Sequence, residues 1–187
     1  MCTNKMQIIA ELQMRAAAAN DERIDMSQIV VGIAEMKMGT KRDELITYAL
    51  GSCVGICMYD DKLKIGGLLH AMLPNAYENE GYGDMNFERY VNTGIPSLFR
   101  KVCAHGANVS NLKVKIVGGA NMFGFDFTNK DMDIGTQNVI QSKRILAELG
   151  IPVVAQMTGG TVGRTIKFCL ESAQIQVSAT DGNKYTI

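Results

Sequence analysis

From Gln28 onward the chain breaks into short β-rich runs, "IVVGIAEMKMG", "ELITYALG" and "CVGICMYD", each closed by glycine or by charged turn residues. Branched and aromatic residues in runs of this length predict consecutive strands. "KIGGLLHAMLPN" follows as another, carrying His70 and stopped by the turn-forming pair Pro74-Asn75. The pattern then changes period. Phe87, Tyr90, Val91, Ile95, Leu98, Phe99 and Val102 recur at helical spacing, while Gly94 and Pro96 predict a kink or two abutting helices.

"NLKVKIVGGA" sets Leu112, Val114 and Ile116 against Lys113 and Lys115, the alternation of a half-buried strand. "TQNVIQSKRILAELGIP" predicts a second helix, with Val139, Ile140, Leu146 and Leu149 on one face and Gly150 and Pro152 as stops. "VVAQM", "RTIKFCLES" and "IQVSA" return to strand. Strands, helix, strand, helix, strands predicts mixed α/β layers more readily than a doubly wound parallel sheet.

A chain of 187 residues suits one core. Residues 1–27, rich in Ala and Met and ending near the polar run Asn20 to Arg23, are expected to be an N-terminal extension with a short helix; residues 28–187 are the domain. With 19 basic and 19 acidic residues, the composition does not point to a nucleic-acid partner. The N-terminus lacks the apolar core of a signal peptide, and no run approaches the roughly 18 apolar residues of a membrane span. The expected location is cytoplasmic, without membrane insertion. The five cysteines are an odd, scattered set, as expected of reduced thiols.

Two histidines, His70 and His105, restrict any chemistry that needs a neutral base near pH 7. Cys53 and His70 fall on successive predicted strands, which antiparallel pairing would bring together. A thiol becomes a good nucleophile as thiolate, and an imidazole takes its proton and later protonates a leaving amine. Gly51 and Ser52 before Cys53 allow a sharp turn whose backbone N–H groups can hold an oxyanion. The hydroxyl of Thr47 can orient an imidazole, although no spacing rule requires it.

The residues alone leave alternatives open. Free cysteine is among the most buried residue types, so from the residues alone packing is the better reading of Cys53 and still more of Cys57. His70 in "GGLLHAML" likewise reads more readily as a core histidine than as a base. A metal set of Cys53, Cys57, Cys103 and His105 lacks paired C-x-x-C spacing, so no metal is expected. Cys2 and Cys169 read as incidental thiols, and His105 as a partner for a helix C-terminus. No Gly-rich nucleotide motif is present in the sequence. The polar loop 75–84 is a candidate border of a site.

Four motifs occur in order: Thr47 with Gly51-Ser52-Cys53, "GGLLHAMLP" from Gly66 to Pro74, "GGANMF" at 118–123, and "TGGTVGR" at 158–164. Together they resemble the CheD family of chemoreceptor glutamine deamidases, over about residues 28–187. The resemblance implies a CheD-like α/β fold of layered mixed and antiparallel sheets flanked by helices, with Cys53 as nucleophile, His70 as general base and acid, and Thr47 orienting His70. It implies hydrolytic deamidation of glutamine to glutamate in the cytoplasmic helices of chemoreceptors, without a cofactor. It also implies binding to CheC, a phosphatase of CheY, for which Phe123 is the expected contact. The alternative output is regulatory, with stimulation of that phosphatase primary and deamidation secondary. Met157 and Gln137 stand where the family often has an acidic residue and an arginine.

Overall fold

A computed structural model of the chain describes residues 26–76, 86–122 and 133–187. The expected helix of residues 1–27 lies, up to residue 25, outside the described residues. The strands are β1 (Ser27–Val30), β2 (Glu35–Gly39), β3 (Asp43–Leu50), β4 (Val54–Asp60), β5 (Ile65–Ala71), β6 (Leu112–Gly118), β7 (Val153–Thr158), β8 (Arg164–Cys169), β9 (Ile175–Ala179) and β10 (Lys184–Thr186). Two helices, α1 (Val91–Ala104) and α2 (Ile134–Glu148), complete the described elements, with single 3-10 turns at Phe87–Arg89 and Val109–Asn111.

The strands form two five-stranded sheets, β1-β3-β8-β9-β10 and β2-β5-β4-β6-β7. Both are mixed: β1 and β3 pair parallel, as do β6 and β7, and the other pairs are antiparallel. The second sheet is the middle layer. Val54, Ile56, Met58, Leu69, Val114 and Ile116 on one of its faces meet Val91, Ile95, Leu98 and Leu146 of the helices. Cys57, Tyr59, Leu68 and Val117 on its other face meet Leu45, Leu50, Ile166 and Phe168 of the first sheet. Strand β4, central in the middle sheet, is therefore buried along its whole length.

Alternation in β6 and β8 explains this directly. Leu112, Val114 and Ile116 are buried while Lys113 and Lys115 are half-buried, and Ile166 and Phe168 are buried between half-buried Thr165, Lys167 and Cys169. Phe168 meets Tyr59 edge-on between the sheets, with ring centroids 5.5 Å apart. At Gly67 a side chain would obstruct the middle layer, because a Cβ there would lie 2.8 Å from Leu98 of α1.

The α/β layered fold expected from the sequence is the one observed, with four differences of detail. "IVVGIAEMKMG" is two strands in different sheets, divided by a tight turn in which Ala34 takes a φ of 56°. Of the two alternatives at Gly94 and Pro96, two abutting helices are not formed: α1 is one helix with Pro96 inside it, and burial of Ile95, Leu98 and Val102 holds the turn that loses an N–H bond. Ile140, assigned to the buried face of α2, is 53% exposed, and that face is made by Asn138, Ser142, Ile145 and Leu146. Strand β10 carries no apolar alternation and was not foreseen; it pairs with β9 through its backbone. No helix among the described residues is long and apolar enough to cross a membrane.

Asp60 ends β4 as a buried acceptor. It receives the Lys62 and Leu63 backbone N–H groups, the Asn108 N–H and the Asn111 amide at 2.9, 3.1, 2.9 and 3.3 Å. Burial raises its pKa, but these donors outweigh that and hold the carboxyl below its ordinary value. A depressed folded pKa gives stability that is present above the unfolded value and is lost as pH falls through the folded one. Replacing Asp60 by Asn should lower unfolding free energy at pH 7 by about 2 kcal/mol. The difference from wild type should shrink on acidification, as read by urea unfolding at stepped pH.

Candidate active site

Strand β3 delivers Thr47 into the space between the sheets, and β5 delivers His70 into the same space from the middle sheet. Both side chains are completely buried. The Thr47 hydroxyl donates to the Val31 carbonyl at 2.7 Å and lies 2.8 Å from His70 Nδ1. A hydroxyl has one proton. With that proton on Val31, the Thr47 oxygen accepts from Nδ1–H, which leaves the imidazole lone pair on Nε2. His70 Nε2 is buried without a hydrogen-bond partner. Burial holds the imidazole down to about 4, so the ring is neutral near pH 7.

Beyond Thr47 the β3–β8 register shifts, Ala49 takes a φ of 57°, and Gly51 and Ser52 carry the chain from one sheet into the other. Cys53 is the last residue of that turn. Gly55 pairs directly with His70, so Cys53, two residues earlier, is the diagonal neighbour of His70 along the antiparallel ladder. Cys53 is half-buried and packs against the apolar cluster between the sheets. Burial pushes its thiol up, opposed in part by its own backbone N–H. At rest the pair is a neutral thiol and a neutral imidazole.

Three consecutive carbonyls of the turn are tied down from outside it. Gly51 O accepts from Ala120 N–H at 2.8 Å, Ser52 O from the Asn138 amide at 2.8 Å, and Cys53 O from Gly119 N–H at 2.7 Å. This explains "GGA" at the end of β6. Gly118 has a φ of +112°, and a Cβ on it would lie 2.3 Å from Cys53 O.

A cavity of about 310 Å³ opens at the turn, lined by Ser52, Cys53, Met72, Arg89, Met122 and Ile134 among others. Asp133 closes one side, its carboxylate capping α2 by accepting the Gly135 and Thr136 N–H groups at 3.2 and 3.1 Å. A larger depression of about 470 Å³ lies over β8 to β10, lined by Thr165, Lys167 and Lys184, and contains none of Thr47, Cys53 or His70. The smaller cavity is the one with Cys53 in its wall.

Thr47, Gly51, Ser52, Cys53 and His70 are thus gathered at one end of the interface between the sheets. Cys57 is fully buried in the core, with its thiol pushed far up by burial, and packs as expected. His105 caps α1, its Nδ1–H donating to Lys101 O at 2.8 Å. Phe123 and most of the 75–84 loop lie outside the described residues. Met157 is half-buried against the core between the sheets, and Gln137 lies in the first turn of α2. Asn138 was missed by sequence reasoning; its one signal is a carboxamide four residues before Ser142 and seven before Ile145, on the buried stripe of α2.

A family model described as CheD chemotactic sensory transduction matches residues 72–179. The "Chemoreceptor glutamine deamidase CheD" of Bacillus licheniformis is 38% identical over 163 residues, covering 87% of this chain and 96% of that protein. The "Probable chemoreceptor glutamine deamidase CheD" of Clostridium acetobutylicum is 43% identical over 148 residues, 79% of this chain and 88% of that protein. A protein of the same printed name from Pyrococcus horikoshii is 41% identical over 160 residues, covering 84% and 96%. The chain belongs to the CheD family.

The hydrogen-bond chain through Thr47 has two measurable consequences. Nitrogen-15 NMR should find His70 as the Nδ1–H tautomer, titrating near about 4. Thr47→Val strands both the Val31 carbonyl and Nδ1–H in the interior. It should cost about 1–3 kcal/mol in urea unfolding and loosen that tautomer preference.

Proposed function

We propose that the chain is an amidohydrolase that converts glutamine side chains of chemoreceptors to glutamate, with Cys53 as nucleophile and His70 as base. The observation that carries this reading is the unpaired His70 Nε2, held neutral by burial and fixed by Thr47, on the strand beside Cys53. The family and the printed activities of its relatives supply the substrate class.

In the first half-reaction the Cys53 sulfur bonds to the amide carbon while its proton passes to His70 Nε2. The carbonyl becomes an oxyanion, for which the backbone N–H of Cys53, in the wall of the cavity, is the candidate donor. The carbon–nitrogen bond then breaks as His70 returns the proton to the departing amine, releasing ammonia and leaving a thioester. In the second half-reaction Nε2 takes a proton from water, the hydroxide adds to the thioester, and the carbon–sulfur bond breaks. Sulfur recovers its proton and the product is glutamate. Thr47 accepts from Nδ1–H throughout, so the imidazolium formed in each half-reaction keeps its orientation.

A receptor helix is the macromolecule that must reach the cavity. Met72, Leu73, Met122 and Ile134 give its mouth an apolar rim, and Arg89 adds a cation. The CheD resemblance also brings a CheC-type phosphatase as partner. Stimulation of that phosphatase is a second output, separable from the thiol chemistry by one substitution.

The test is mass spectrometry of a chemoreceptor cytoplasmic fragment incubated with the protein, which should show a gain of about 1 Da at individual glutamines. Cys53→Ala should abolish the gain while leaving any stimulation of a CheC-type phosphatase intact. Deamidation by Cys53→Ala at the wild-type rate would sink the mechanism. A base with its pKa at about 4 stays competent well below neutrality, so kcat/KM should hold between pH 7 and pH 6 and fall only as pH nears that value.

A further inference from the structure

We infer that Asn138 is a positioning residue for this reaction, a clamp that joins the turn of the nucleophile to the strand of the base. The inference rests on the reading of Cys53 and His70 proposed above. The Asn138 side chain on α2 is completely buried. Its Nδ2 donates to Ser52 O and to Met72 O, each at 2.8 Å. Ser52 immediately precedes the nucleophile, and Met72 follows His70 by two residues just past the end of β5. One amide group therefore fixes the distance between the two halves of the chemistry.

The orientation of that amide follows from its partners. Two carbonyl oxygens accept and cannot donate, so both must face the NH2 end. The oxygen end, Oδ1, is left buried without a hydrogen-bond partner. An apolar side chain of similar volume would remove the unpaired Oδ1 but leave the Ser52 and Met72 carbonyls without this donor. What the carboxamide adds is the pair of donors, and both go to backbone atoms flanking reacting residues. The Ser142 hydroxyl, one turn further along α2, donates to Asn138 O at 2.7 Å and secures the helix beneath the clamp.

The effect reaches the reaction through a peptide plane. In a trans peptide the C=O of one residue and the N–H of the next point in opposite directions. Holding Ser52 O against Asn138 therefore aims the Cys53 N–H, which shares that peptide plane, away from α2. Without the clamp, Ser52 O and Met72 O would face one another unscreened, and the turn would rotate to relieve them. The Cys53 N–H would leave the place where the oxyanion forms. Asn138 does not line the cavity, so it acts on the rate without touching substrate.

The test compares Asn138→Asp, which keeps the shape but replaces two donors with acceptors, and Asn138→Ala, which removes the group. Receptor deamidation is assayed beside wild type, at a temperature where circular dichroism shows each variant folded. Misplacing reacting groups by about an ångström costs about a hundredfold in rate. Both variants should lose kcat on that scale, with KM changed by less than about threefold because the substrate contacts remain. Wild-type kcat in either folded variant, or a change confined to KM, would overturn the clamp.

Nitrogen-15 NMR of the wild-type protein provides a measurement that needs no variant. Carboxamidomethylation of Cys53 should shift the Asn138 side-chain NH2 resonances, and resonances that stay in place would overturn the inference even if both variants unfold. This arm also separates the two levels of the argument. A wild-type protein that fails to deamidate receptors would remove the proposed activity, while the NMR response still decides the clamp.

Discussion

The bond between Thr47 and His70 joins the two sheets at the place where chemistry is needed. Thr47 belongs to one sheet and His70 to the other, and the link extends to Val31 beyond β1. Each hydrogen in it has one available destination, so the chain of bonds has a direction. Val31 C=O takes the hydroxyl proton, Thr47 takes Nδ1–H, and the lone pair left over is on Nε2. A surface threonine would exchange these partners with water. Complete burial removes that choice, and the same burial keeps the imidazole uncharged.

The proposed nucleophile, Cys53, is held by a different means. Its turn is secured by carbonyls that reach Ala120, Asn138 and Gly119 in three directions. The first and last of these donors follow the Gly118 position, where the backbone lies too close for a side chain. Strand β6, its glycine end and α2 thus support one three-residue turn. The apolar layers matter to the reaction because they place these supports. Packing of α1 and α2 on β4, β5 and β6 sets the height of Asn138 above the turn, and packing of β3 and β8 on the other face sets the depth of Thr47.

Much of this was legible in the sequence where the signal is local. The alternation of Leu112, Val114 and Ile116 and of Ile166 and Phe168 marked the buried faces correctly, because a pleated strand presents every second residue to one side. Gly51-Ser52-Cys53 announced a turn, and the succession of runs placed His70 on the next strand. Features that depend on tertiary placement were not legible. Thr47 offered no spacing to His70 because they meet across two sheets, where sequence separation carries no geometric rule. Ile140 looked buried by character, yet α2 turns Asn138 and Ser142 inward instead, since those two find partners in the interior. The pairing of β10 depends on backbone groups alone. From residues alone Cys53 and Cys57 were alike; one lies at a strand's edge in a cavity wall and the other in its middle, a difference of four positions.

Complete burial of β4 divides the molecule into parts with different freedom to vary. Successive side chains of β4 enter the two cores in turn, so a change at any of them meets packed neighbours and the strand tolerates few replacements. The cavity rim is drawn from other places: Arg89 at the end of a 3-10 turn, Met122 after β6, and Ile134 at the start of α2. Met122 and Ile134 are exposed. Changes in the receptor surface this protein meets can be followed at those positions without disturbing the frame. The architecture lets selectivity drift while the reacting groups stay still.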